Sequence, residues 1–403
     1  MNRNWLPYLA ACLVAIGMLL GIRASTPLTD RYQGADSDGR QYVAMAGDTM
    51  MFGSNFARYA PFAYRVATPW VAKQIPGRDV IAKFKILAWI DAAMMLLLCF
   101  VLFQALGFSP WDSLIGMGLY GLSFWTLKFA FYSPCYIDHQ SQVIVLAILV
   151  VMAKGWWPFL PIIVFAGYFQ KESVVAVIPV ILAFYVSNKG WTWWPTYIIG
   201  GLSVSAAVIA GLILRNNVHP INLELASPLY AMEDSWAVIT HTPGYPRILV
   251  VALFSCLGVM PLLVLGQLRW ALRYLHRNPA WLAMIGVGLV FLLGGLDKSR
   301  LFLHMLPAVT VVSVAIISDL RRQLSPTRFR MWVGFLFLIH AFLGAHLEPF
   351  RDFMNYLNRM VPEHSPNQGA EGFTRVFFAC AIYLVGDLVI RWRKNPGGLE
   401  TSQ

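Results

Sequence analysis

Four carboxylates crowd one stretch of this chain, TDRYQGADSDGRQYVAMAGD (Thr29–Asp48): Asp30, Asp36, Asp38 and Asp48, with Arg31 and Arg40 among them. Asp38-Gly39-Arg40-Gln41 has the form of a helix start, with a carboxylate at the N-cap and a glutamine three residues on to reach back. A cap leaves Asp36 unexplained, and carboxylates at the end of a membrane helix can also offer a general base to a substrate at the bilayer surface. Three more stretches set charge between apolar runs: GYFQKESVV with Lys171 and Glu172, GGLDKSRLFLHMLP with Asp297, Lys298 and Arg300, and FYSPCYIDHQSQ with Asp138 and His139. Ionisable groups in such positions are costly, which marks them for function. Each also has a plainer reading: Lys171 and Glu172 as a mutual salt bridge at a turn, Asp297 to Arg300 as a charged loop, His139 as a structural histidine. Asp91 and Lys128 lie inside apolar runs and predict an ion pair across a helix hairpin, while Asp387 and Arg391 predict an i,i+4 pair.

The elements that must position these groups follow from composition. Of 403 residues, 58% are hydrophobic and 13% charged, and the mean hydropathy is +0.59. These values exclude an ordinary soluble domain and predict one all-α, polytopic transmembrane bundle over 1–403. Apolar runs from Trp5–Ile22 to Phe373–Ile390 suggest about twelve crossings, the first a helix that stays in the membrane rather than a cleaved signal. Basic short loops at Lys154, Lys189, Arg269 to Arg277 and Arg321 to Arg330, with the tail 391–403, set the cytoplasmic face and both termini. Segments 24–85, 215–247 and 348–372 then lie outside, and the aromatic-rich first one predicts short interfacial helices over a cavity. Cys12, Cys99, Cys135, Cys256 and Cys380 are scattered, with neither a disulfide framework nor metal-ligand spacing. The net charge of +11 gathers between apolar runs, which argues for membrane orientation and against nucleic-acid binding.

The acidic first outer segment, APFAYRVATPW with Pro61, Tyr64, Arg65 and Pro69, the KES stretch and the late LDKSRLFLHMLP together resemble the GT-C superfamily of membrane glycosyltransferases. The resemblance runs from about Leu6 to Pro307, through short motifs. It implies a polyprenyl-phosphate-linked sugar donor and an extracytoplasmic active site in a plasma membrane such as the bacterial inner membrane. Asp38, or failing that Asp36, would then be the base, Arg65, Lys171 and Arg300 would hold the donor phosphate, and Tyr64, Asp138, Glu172 and Asp297 would support them. The chain departs from many relatives in having no large C-terminal soluble domain, so the acceptor expected is a lipid or a glycan rather than a protein. A divalent cation, Mg or Mn, would find hard oxygen ligands in Asp36, Asp38 and Asp138, although their spacing does not demand one. A glycan polymerase or ligase using diphosphate-linked donors, and a lipid or glycan transporter, are the alternative classes.

Overall fold

The computed structural model describes residues 5–26, 28, 35, 38–47, 57–221, 228–241, 245–292, 298–346 and 367–392. Among the described residues all regular structure is helical. Five helices are long and apolar enough to cross a membrane: Leu6–Ser25, Val80–Ala105, Glu172–Lys189, Pro195–Asn217 and Phe373–Ile390. The count rises to seven if two bent pairs are each one span, and Asp138–Ala153, Trp157–Gln170 and Pro279–Phe291 are shorter apolar helices. The expected twelve crossings are therefore not all present as helices of spanning length among the described residues.

Apolar runs that read as single crossings are broken by local chemistry. Pro110–Leu122 starts at Pro110 behind Ser109, whose hydroxyl accepts from the Asp112 amide at 3.2 Å, the favoured chemistry of a helix N-terminus. It stops at Ser123, and a π-helical turn at Phe124–Lys128 leads into Phe129–Tyr132 at an angle of 54°. Thr126 fills the break by donating its hydroxyl among the carbonyls of Tyr120, Gly121 and Ser123 at 2.7 to 3.0 Å, a recognised cause of a kink. The run Ile248 to Leu268 likewise divides into Tyr245–Leu257 and Met260–Gly266, turning by 101° at Gly258, whose φ of +56° suits a residue without Cβ. The segment 215–247, expected as a loop, contains the helix Pro228–His241.

In the bundle, Val80–Ala105 lies between Asp138–Ala153 and Pro110–Leu122, and Leu306–Gln323 packs on the latter. Gly116 allows that approach: a Cβ there would come within 2.5 Å of both the Phe103 ring and a Val314 methyl, as expected where helices meet through small residues. Leu160–Gln170 rests on Pro195–Asn217, and Ile178–Lys189 rests on Pro279–Phe291. The segment 24–85 contributes two short helices, Gly39–Met45 and Ala67–Gln74.

Two charged ends result. Arg300 precedes Leu306–Gln323 and reaches Asp38, while Arg321 in its last turn binds Asp112 at 3.1 Å and donates to the Ser109 hydroxyl at 2.9 Å. Eighteen helical residues separate these ends by about 27 Å, close to the ~30 Å hydrocarbon core of a bilayer. The Asp112 side chain is fully buried and that of Arg321 is 35% exposed, so removing the cation leaves a buried carboxylate with the Ser109 hydroxyl, at 2.7 Å, but no counterion. Arg321→Ala is expected to lower stability by about 3 kcal/mol, the low end for a broken buried pair. Thermal unfolding in detergent measures this, and Asp112→Asn combined with Arg321→Gln should recover most of the loss.

Candidate functional site

At the other end, Asp38 occupies the N-cap position of Gly39–Met45 but makes no side-chain cap. Its carboxylate instead accepts from Arg300 Nη1 at 2.8 Å. The helix is held in place by packing: Tyr42, Val43 and Ala44 join Val80, Phe84, Leu87, Cys135 and Ile137 in a small apolar cluster. Gly39 is the point of contact, since a Cβ there would lie 3.0 Å from Cys135 Cβ. That contact brings Asp38 over the turn leading into Asp138.

Asp138 opens its own helix and accepts from Lys171 Nζ at 2.6 Å, with Arg300 Nη1 3.7 Å from its second oxygen. The Arg300 guanidinium also lies 5.4 Å from the centre of the Tyr136 ring, a cation–π contact. Lys171 reaches Asp138 because the backbone turns extended there (φ −163°, ψ 130°), ending Leu160–Gln170 and starting the 3-10 turn Glu172–Val177. Arg65 grips Glu172 with two bonds, Nε to Oε2 at 3.0 Å and Nη2 to Oε1 at 2.5 Å, and donates through Nη1 to the Tyr42 hydroxyl at 3.2 Å. A neutral tie runs beside these ion pairs. Gln170 Oε1 accepts from the Thr68 amide at 3.1 Å and the Thr68 hydroxyl at 2.6 Å, and its Nε2 donates to the Ile137 carbonyl at 3.2 Å.

Burial alone would raise the Asp138 carboxyl, but Lys171 and Arg300 outweigh it and hold the group below the usual carboxylate range. Any stability this lowered value confers is present above the unfolded pKa and lost only as pH falls through the folded one, so it stays constant across neutral pH. Burial would lower the Arg65 guanidinium, and Glu172 and Tyr42 more than offset it. Burial pushes the Tyr42 hydroxyl up despite Arg65. Side-chain exposure then separates the carboxylates: 6% for Asp138, 18% for Asp38 and 46% for Glu172. Asp38 and Glu172 are within reach of an incoming molecule, whereas Asp138 is a buried anchor for two cations.

Six residues expected from the sequence meet here: Asp38, Arg65, Asp138, Lys171, Glu172 and Arg300. Asp36 and Asp297 lie outside the described residues. Tyr64 precedes Arg65 at the end of the 3-10 turn Phe62–Tyr64, but the phenol on Arg65 belongs to Tyr42. Lys171 and Glu172 do not pair with each other, because the extended backbone between the two helical segments sends them to different partners. The expected Asp91–Lys128 pair is not formed: His139 Nε2 is 3.7 Å from Asp91, while the π-helical turn aims Lys128 at the Gly344 carbonyl, 3.2 Å away. Asp387 accepts from Trp332 Nε1 at 3.0 Å, and the Arg391 side chain lies outside the described ones. His139 is fully buried, and among the described residues no three His, Cys, Asp or Glu side chains gather closely enough to hold a metal ion.

Tyr42, Thr68 and Gln170 were not expected from the sequence, since neutral residues leave no mark in a charge pattern. No family model matches this chain, and no curated protein matches it. What fold and site define, among the described residues, is a helical chain with helices long and apolar enough to cross a membrane and a network in which three cations meet three carboxylates at one end. The placement of Asp38 can be checked without knowing a substrate. Gly39→Cys should form a disulfide with Cys135 under mild oxidation, because the two Cβ atoms approach the 3.5–4.5 Å such bonds require once the neighbours give by a few tenths of an ångström. Peptide mass mapping would show the linked pair, and its absence under oxidation would place the short helix elsewhere.

Proposed function

We propose that this protein is a GT-C-type membrane glycosyltransferase that moves a sugar from a polyprenyl-phosphate-linked donor to a lipid or glycan acceptor. The observation that supports this reading most is the convergence of Asp38, Arg65, Lys171 and Arg300 on one end of an apolar bundle, beneath short helices of the first outer segment. A donor whose sugar hangs from a lipid phosphate needs an apolar surface for the tail, cations for the phosphate and a carboxylate facing the acceptor hydroxyl. The recess lined by Val145, Ser173, Val177 and His304 holds about 20 Å³, room for one water, so the tail would lie along the apolar outer faces of the bundle helices. In the full topology the chain crosses a plasma membrane about twelve times, both termini are cytoplasmic and the network faces the extracytoplasmic side.

The geometry suggests an order of events. Among the described residues each cation of the network is matched by a carboxylate, so a phosphate would exchange with one. Arg300 is the point of exchange, because it holds Asp38, the more exposed of its two carboxylates. As the donor phosphate takes Arg300, Asp38 is released as the base for the acceptor hydroxyl. The acceptor oxygen then attacks the anomeric carbon in line and the C–O bond to phosphate breaks. The configuration inverts, Asp38 takes the proton, and the lipid phosphate leaves as a dianion held by Arg300, Lys171 and Arg65. Asp138 keeps Lys171 and Arg300 in position. A Mg or Mn ion, if used, would draw on Asp38, Asp138 and Asp36 and would compete with Arg300 for the same oxygens.

Purified protein supplied with polyprenyl-phosphate sugars tests the class. Sugar transfer supports the reading, transfer only from diphosphate-linked donors points to a polymerase or ligase, and lipid movement without transfer points to a transporter. Asp38→Asn should cut transfer by about 10² to 10⁴ with the fold retained, and Arg300→Gln should weaken donor binding about tenfold or more. Normal turnover in Asp38→Asn would remove this residue from the reaction.

A further inference from the structure

We propose that the helix Leu268–Arg277 is a binding site for anionic phospholipid headgroups on the membrane surface opposite the candidate site. The helix reads LRWALRYLHR, and at about 100° per residue its side chains sort into sectors. Ala271 and Leu275 form the buried stripe, packed toward Pro279–Phe291 and Leu306–Gln323. Beside that stripe Leu268 and Leu272 are 45% and 56% exposed, and Leu265, just before the helix, is 62% exposed. On its other border Trp270 and Tyr274 stack with ring centres 5.3 Å apart. The remaining sector carries Arg269, Arg273 and Arg277, spaced i, i+4, i+8, all exposed.

Each sector matches one layer of a bilayer surface. Leucines that leave the protein yet adjoin its packed face suit acyl chains, stacked aromatics suit the boundary, and arginines suit phosphates. Location agrees. Asn278 alone separates this helix from Pro279–Phe291, whose far end, Phe291, stacks on His304 near Arg300 with ring centres 4.2 Å apart. The arginines therefore lie about 18 Å or more from the candidate site, one helix length away. Their charge is also unspent: among the described residues none of the three meets a carboxylate, and Arg273 merely donates from Nε to the Arg269 carbonyl at 3.3 Å. On the packed helix Leu306–Gln323, Arg321 is taken by Asp112, and Asp319 accepts from Gln323 at 2.6 Å. A row of free guanidinium groups above exposed leucines complements an anionic phospholipid better than a second copy of this chain, whose matching surface would carry the same positive charge.

The test uses the full-length protein in bilayer discs of phosphatidylcholine mixed with phosphatidylglycerol, with retained lipid read by native mass spectrometry. Phosphatidylglycerol should be enriched on the wild type, and the enrichment should fall about fivefold for each arginine changed to glutamine at 269, 273 and 277. Arg269→Lys, Arg273→Lys and Arg277→Lys together keep the charge and should keep the enrichment, and excess inorganic phosphate should not displace the lipid. Equal retention of both lipids by the wild type, or enrichment unaffected by the glutamine changes, would overturn the proposal. So would displacement by inorganic phosphate, or a dimer that the glutamine changes dissociate, since these assign the face to a free anion or to a second copy. If the triple glutamine variant fails to fold, Arg273→Gln alone carries the comparison.

Discussion

An ion inside an apolar bundle must find a partner, and here the pairing of Arg300 with Asp38 joins residues 262 positions apart. Leaving a buried charge unpaired costs several kcal/mol, more than most single contacts contribute. The same constraint binds Arg65 to Glu172, which ties segment 24–85 to the break before Glu172–Val177, and Lys171 to Asp138, which ties that break to the start of Asp138–Ala153. Hydrophobic packing builds the bundle, but it has little directional preference. Where the helix Gly39–Met45 sits over the bundle is decided by Gly39 against Cys135 and by the Asp38 carboxylate on Arg300.

Under the proposed reading, a network paired in this way would be held without a ligand and would change partners when one binds. Each carboxylate occupies a cation that the proposed donor phosphate would take, so binding would be an exchange whose outcome depends on what the displaced group can do in water. Glu172 and Asp38 are exposed enough to be released, whereas Asp138 is not, and that difference divides the acids into working groups and an anchor. The neutral links through Thr68 and Gln170 do not depend on the charges and would hold the frame through such an exchange.

Much of this was legible in the sequence because charge in an apolar chain is conspicuous. Asp38, Arg65, Asp138, Lys171, Glu172 and Arg300 all stand out as interruptions between or beside hydrophobic runs, and the all-helical class follows from the same runs. What failed to show depends on tertiary geometry. The pattern around Asp38 is that of an N-cap, yet a distant guanidinium outcompetes the local amides for its oxygens. Pairing Asp91 with Lys128 assumes straight helices, and one π-helical turn stabilised by Thr126 turns Lys128 away. Ser123 and Gly258 break runs that hydropathy reads as continuous, so among the described residues five helices, or seven with each bent pair taken as one span, are long and apolar enough to cross a membrane. Tyr42 and Gln170 carry no charge, so nothing in the pattern distinguishes them from other core residues.

The central claim is that Asp38 stays on Arg300 until a phosphate replaces it. A double-mutant cycle on thermal stability, using Asp38→Asn, Arg300→Gln and the double variant, measures that pairing directly. Without ligand the account predicts a coupling of about 1 kcal/mol or more, and with saturating polyprenyl-phosphate sugar a coupling near zero. A coupling that the donor leaves unchanged would contradict the exchange and return the pair to a purely structural role.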